Sequence, residues 1–224
     1  MSYVHGVRKS LPAAVRPKRL PITPHILRLL YSRWSAQQSF DNACLWAACC
    51  LAFFAFLRSG EFTCQSWTAY KPYMLSKDDI QIDNRENPTM LQVTLRQSKT
   101  DVFGVGVNIH VGKTGSYVCP VAALLAYMAI RPSTPGPLFL LECGIPLSRS
   151  VLVNRIRETL STTDYDVSRF NGHSFRIGAA TTAAQAGLSD SSIQLLGRWK
   201  SSAFTRYIRP PVQALAAVSR QLVQ

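Results

Sequence analysis

The residues of this chain best suited to chemistry lie in its last quarter: His173 and Arg176 in Gly172-His173-Ser174-Phe175-Arg176, then Gly197-Arg198-Trp199, then Tyr207 within Phe204-Thr205-Arg206-Tyr207-Ile208-Arg209. A guanidinium offers phosphate oxygens a rigid fork of donors, an imidazole takes or returns a proton near neutrality, and an indole N–H donates only. A phenol becomes a nucleophile once its proton is removed or its anion stabilised, and Arg206 and Arg209 raise the positive potential around Tyr207. These are parts for an attack on a phosphodiester. His173 and Arg176, three residues apart at a helix start, can meet one anion beside the unpaired N–H groups of that helix end.

Two more candidates lie upstream. Arg58 closes an uncharged run from Ala43 to Leu57, with Glu61 three residues on to orient it, and Lys99 sits in Ser98-Lys99-Thr100-Asp101 between two expected strands. Taken singly, each residue has a plainer explanation: a capping histidine, a snorkelling or solvated arginine, a solvated loop lysine, a half-buried tyrosine.

The elements that must position these residues are legible. Thr23-Pro24 sets an N-cap and an N1 proline before Ile26, Leu27, Leu29 and Leu30, predicting a helix to about Ala36. The uncharged run predicts a buried helix from about Asp41 to Arg58-Ser59-Gly60, short of the ~20 residues that cross a bilayer. Met90–Arg96 and Val105–Val111 read as strands, with a shorter one at Asp79–Asp83. Helical patterns follow at Val121–Ile130, Arg149–Leu160, Ser174–Ala186, Ser189–Leu196, a short segment to Tyr207, and Pro211–Val223. The fold class is mainly α with a small antiparallel sheet.

The 224 residues suit one good-sized domain, and 25 Lys and Arg against 12 Asp and Glu leave +13. The excess sits at the ends: seven basic residues and no acidic one in Met1–Phe40, and seven basic with only Asp166 and Asp190 in Tyr165–Gln224. Such a surface favours a polyanion as partner, with Lys18, Arg19, Arg169, Lys200, Arg206 and Arg209 as candidate DNA contacts. Six cysteines without C-x-x-C spacing suggest small buried residues in a reducing compartment and no metal site, and no secretory signal is expected at the N-terminus. The first twenty residues read as a basic arm or linker.

The blocks Phe56-Leu57-Arg58-Ser59-Gly60-Glu61, Ser98-Lys99-Thr100-Asp101, Gly172-His173-Ser174-Phe175-Arg176-Ile177-Gly178-Ala179-Ala180-Thr181, Leu196-Gly197-Arg198-Trp199 and Tyr207-Ile208-Arg209 resemble, in that order, the active site of the tyrosine recombinases of the phage-integrase superfamily. The resemblance runs from about Pro21 to Pro210. The Gly-Arg-Trp form and the His-Ser-Phe-Arg-Ile-Gly-Ala-Ala-Thr block look most like recombinases of eukaryotic DIRS- or crypton-type mobile elements, which implies a nuclear protein, otherwise a cytoplasmic one.

The resemblance implies the DNA breaking-rejoining enzyme fold over residues 21–210, with no metal or nucleotide cofactor. It implies that Tyr207 attacks a scissile phosphate to form a 3′-phosphotyrosyl link while Arg58 and Arg176 clamp the non-bridging oxygens. Lys99 would protonate the departing 5′-oxygen, His173 would assist proton transfer, and Trp199 would donate to a phosphate oxygen. Many relatives place a histidine nine residues before the tyrosine, which is Arg198 here; Trp199 is eight before, and both stand as candidates for that role. Relatives also carry a separate helical domain before the catalytic one, where this chain has a basic arm. A non-enzymatic DNA-binding protein derived from such an element, and a type IB topoisomerase-like enzyme, are the rival functions. The amphipathic Pro211–Val223 segment implies self-association on DNA as a dimer or tetramer by docking in trans, or else docking on its own domain.

Overall fold

The structure, a computed structural model, describes residues 18–97 and 105–209 of the chain. The expectations for most of the N-terminal arm, for Lys99 and its neighbours and for the C-terminal helix fall outside them. Helix α1 (Pro24–Ser35) starts where Thr23 Oγ1 accepts from the Ile26 N–H at 3.3 Å, and it buries Ile26, Leu27, Leu30 and Trp34. Helix α2 (Phe40–Phe54), capped by Ser39, is buried over most of its surface, from Asn42 to Phe53, because α1, α4 (Pro120–Ile130) and α6 (Ser174–Gln185) surround it. Beyond Asp41 in its first turn it runs uncharged because it is the centre of the core. Among the described residues no helix is long and apolar enough to cross a membrane.

The apolar helix stops earlier than its composition predicts. Ala55 N–H bonds the Leu51 carbonyl at 3.0 Å, Leu57 N–H reaches back to Ala52 at 2.9 Å, and Phe56 between them takes φ +50. A left-handed residue ends the helix by turning its carbonyls out of line; glycine is usual there, so a phenylalanine gives no warning. The chain then re-enters a single helical turn, α3 (Ser59–Phe62).

Strands β1 (Ile80–Ile82), β2 (Met90–Leu95) and β3 (Val107–Gly112) form an antiparallel sheet in that order, with Ile80 opposite Val93 and Val93 opposite Ile109. Leu91, Val93 and Leu95 alternate into the core. The hairpin strands are shorter than expected at their inner ends. Arg96 leaves the ladder to bond Asp79 at 2.6 Å and the Pro72 carbonyl at 2.8 Å, and Gly106, at φ +73, lies so close to Leu95 that a Cβ would meet its carbonyl oxygen at 2.9 Å.

Helix α5 (Arg149–Leu160) faces inward through Leu152, Ile156 and Leu160, and α7 (Asp190–Leu196) leads through Gly197 to a 3-10 helix, Ser202–Tyr207. Before α1, Leu20 and Ile22 donate backbone hydrogen bonds to Arg169 (3.1 Å) and Ser174 (2.9 Å). This seats the entering chain against the start of α6, where Gly178 leaves room for the Ile22 carbonyl. Five cysteines are buried as expected of small apolar residues; Cys143 is exposed, because it lies on the outer turn between Leu140 and Pro146.

Candidate functional site

Three element ends converge. Arg58 is the N-cap of α3: its N–H donates to Glu61 Oε2 and its Nη1 to Glu61 Oε1, both at 2.8 Å, so one carboxylate holds main chain and side chain together. His173 is the N-cap of α6 without using its ring as a cap, and its N–H donates to Asn171 Oδ1 at 2.9 Å. Gly172 lets these two starts touch, since a Cβ there would lie 2.5 Å from Ser59 Oγ.

Arg176, on the first turn of α6, points inward. It is 1% exposed, its Nη1 donates to the Phe56 carbonyl at 2.6 Å and its Nη2 to the Gly197 carbonyl, while its Nε has no partner among the described residues. Its guanidinium lies 4.0 Å from the ring centre of Trp199, a cation–π stack, and 6.0 Å from that of Tyr207. His173 keeps part of its surface open to solvent while its ring is half-buried, so the two residues expected to share one anion differ in access in this structure.

The Gly-Arg-Trp turn divides its side chains. Gly197 is required because the indole of Trp199 lies over its Cα, where a Cβ would fall 1.5 Å from the ring. Arg198, at φ +55, turns inward: Nη2 meets Glu61 Oε2 at 2.9 Å and the Phe56 carbonyl at 3.3 Å, and Nη1 meets the Ala55 carbonyl at 3.0 Å. Trp199 turns the other way, its ring 5.2 Å from that of Tyr207 and edge-on to Phe56 at 6.4 Å. Tyr207 ends the 3-10 helix, pinned by Thr181, whose hydroxyl donates to the Tyr207 carbonyl (3.1 Å) and accepts from the Arg209 N–H (3.0 Å).

Arg58 and Arg198 share the Glu61 carboxylate, and Arg176 lies close enough to feel its charge without bonding it. Burial, followed by the charges of Arg58 and Arg198, lowers the Arg176 pKa to about 9; burial also lowers that of Arg198. Burial, then Arg19, Arg176, Arg149 and Arg58, hold His173 below the usual histidine value and favour the neutral imidazole. Such a site wants an anion.

His173 lies between two clefts. One, about 440 Å³, is lined by Arg58, Glu61, Tyr73, Leu95 and Gln97, the last two residues before Lys99 in sequence being Gln97 and Ser98. The other, about 340 Å³, is lined by Lys18, Arg19, Ile177, Arg206, Tyr207 and Arg209. Four of the six candidate DNA contacts therefore gather beside Tyr207. Arg169 instead tethers the entering chain, its Nε donating to the Lys18 carbonyl at 2.6 Å, and Lys200 is exposed on the turn beyond Trp199 and lines neither cleft. Sequence reasoning gave no role to Thr181, although it closes the quoted α6 block, nor to the Phe56 carbonyl, which accepts from both Arg176 and Arg198 and leaves no mark in residue type.

No family model matches the chain, and no curated protein sequence does. Among solved structures, the XerA recombinase is similar at TM-score 0.64 and 17% identity, over 92% of this chain and 66% of that one. The XerH site-specific recombinase, in a post-cleavage complex with palindromic difH substrate, is similar at TM-score 0.64 and 14% identity, over 94% and 55%. The Tn1549 transposon integrase in complex with circular intermediate DNA is similar at TM-score 0.62 and 15% identity, over 96% and 70%. The chain spans 66% of the XerA chain and 55% of the XerH chain. At these identities the likeness is one of architecture: the chain, rich in helices with one small three-stranded antiparallel sheet, has the fold of the tyrosine recombinase catalytic domain.

Proposed function

We propose that this protein cleaves and rejoins DNA strands through a covalent link to Tyr207, as a site-specific recombinase or integrase that needs neither a metal nor ATP. The observation that carries the reading is the convergence of Tyr207, His173, Arg58 and the Arg176–Trp199 stack at three touching element ends, in a site with three guanidiniums for one carboxylate. In the step proposed, Tyr207 Oη forms a bond to phosphorus as the bond to the 5′-oxygen breaks. The phenol proton passes to neutral His173, and the leaving oxygen takes a proton from Lys99, two residues after Gln97 in sequence; Gln97 lines the cleft of Arg58 and His173. Arg58 and Arg176 would stabilise the charge gathering on the non-bridging oxygens, and the Trp199 indole would donate to one of them. The link conserves the bond energy, so a 5′-hydroxyl from another strand reverses the step and cutting becomes exchange.

Under the same reading, residues 21–210 are the catalytic domain, double-stranded DNA is the partner, and self-association on DNA would bring sites together. The Gly197-Arg198-Trp199 turn supports kinship with DIRS- or crypton-type elements, and with it a nuclear location. One observation favours a second reading, a DNA-binding protein without turnover: Arg176 has both Nη groups on main-chain carbonyls beneath Trp199, with no face open to a phosphate.

Incubating the protein with a pool of nicked duplexes randomised around the nick decides between them. A covalent protein–DNA adduct, absent in Tyr207→Phe, is the expected result. DNA binding by a folded protein with no adduct from the pool would sink the recombinase reading in favour of the second. Plasmid relaxation without strand exchange would instead indicate a type IB topoisomerase-like enzyme.

A further inference from the structure

We propose that Arg198 is a positioning residue that locks the Glu61 carboxylate and so aims Arg58 at the phosphate, without touching the phosphate itself. The functional half of this inference rests on the phosphoryl-transfer reading above. Glu61 is 5% exposed in its side chain and its two oxygens are divided: Oε1 accepts from Arg58 Nη1 at 2.8 Å, and Oε2 accepts from the Arg58 N–H at 2.8 Å and from Arg198 Nη2 at 2.9 Å. An Arg–Glu pair three residues apart on a helix start is a weak constraint by itself, since two long side chains must be ordered for little gain. Arg198 changes this by fixing the carboxylate from the far side.

Arg198 is itself fixed. Its side chain is 12% exposed, and its Nη groups reach the Ala55 and Phe56 carbonyls, the main chain that leads into Arg58. The left-handed backbone at Arg198 is what turns the fork inward while Trp199 goes to the Tyr207 side. One side chain therefore ties the Gly-Arg-Trp turn, the end of α2 and the start of α3, joining the two sequence-distant halves of the site. A lysine could meet Glu61 but not three acceptors at fork geometry. Arg58, 20% exposed and lining the cleft beside His173, remains the member of this chain of contacts with an open face.

The test uses the full chain with Arg198→Ala, Arg198→Lys, Arg58→Ala and the Arg58→Ala/Arg198→Ala double variant, scored by the rate of Tyr207 adduct formation on the nicked duplex pool. Misaiming a clamp without removing it should slow the rate roughly tenfold to a hundredfold in Arg198→Ala, less in Arg198→Lys. In the Arg58→Ala background, Arg198→Ala should cost nothing further. Multiplying penalties would mean that Arg198 acts on the phosphate independently and would overturn the proposal.

A second readout stands apart from catalysis. Side-chain ¹⁵N spectra should show separate, slowly rotating Arg58 Nη signals in the wild type that merge in Arg198→Lys, the variant retaining charge at that position. Unchanged Arg58 signals would also overturn the proposal. A wild type that forms no adduct, yet shows this merging, removes the recombinase reading while leaving the positioning role in place.

Discussion

Gly197 and His173 show how single residues set the state of the site. A side chain at Gly197 would collide with the Trp199 ring at 1.5 Å, so Gly197→Ala must move the indole off Arg176. The expected cost is about 1–3 kcal/mol, the range for overpacking, read as a lower midpoint in urea unfolding together with a change in tryptophan emission. An unchanged midpoint would mean that the stack contributes nothing. At His173 the sign follows from charge: burial and then Arg19, Arg176, Arg149 and Arg58 lower its pKa below the unfolded value near 6.5. The unfolded chain therefore binds the proton more readily, and this residue's contribution to stability falls as pH drops below that value and is flat above it. His173→Gln should lessen the fall in Tm between about pH 7 and pH 5 relative to wild type, and a larger fall would refute the assignment. If the proposed strand cleavage is the reaction, an acid limb of the free protein's kcat/KM set by His173 should lie below the ordinary histidine range.

Elements carry the site because their ends, more than their middles, are built for contact. Gly178 makes the case within α6: its absent Cβ would sit 1.7 Å from the Ile22 carbonyl oxygen, a backbone atom that cannot swing aside. Alanine inside a helix ordinarily gains up to about 1 kcal/mol over glycine. Here the collision outweighs that gain, and Gly178→Ala should lower stability by about 1–3 kcal/mol while loosening the entering chain at Ile22, measurable as faster amide exchange there. A stabilised variant would show that the entering chain is not held against α6. The same contrast explains what the sequence made legible. Thr23-Pro24, the Val- and Leu-bearing strands and the α5 stripe of Leu152, Ile156 and Leu160 announce themselves by local pattern, whereas the residues gathered around His173 stood out only through the order of five separate blocks. The turn at Phe56 did not, because its left-handed φ is imposed by packing and by the Leu57–Ala52 bond. Nor did the inward fork of Arg198, whose partners lie 137 and 143 residues away in sequence and whose backbone sign no residue type discloses.

Over the whole molecule, charge is arranged in two tiers. Deep in the site three guanidiniums, of Arg58, Arg176 and Arg198, have one carboxylate among them, bonded by Arg58 and Arg198, and an anion entering from the cleft would relieve their repulsion. Around it, Lys18, Arg19, Arg206 and Arg209 line the neighbouring cleft beside Tyr207 with no acidic residue among its lining. The tiers respond differently to an experiment. Inorganic sulfate should raise Tm by binding the inner tier, and Arg58→Ala should reduce that rise even at high ionic strength, where surface charges are screened. Under the proposed function, duplex DNA should bind through the outer tier with an affinity that falls linearly in log–log form as salt rises. Substituting Arg206, exposed and on the Tyr207 side, should reduce the slope by about 1 and weaken binding without regard to sequence. Substituting Lys113, which lines neither cleft, should leave the slope unchanged. Equal effects from the two would mean that DNA approaches by another face, and would separate the basic surface from the chemistry gathered at Tyr207.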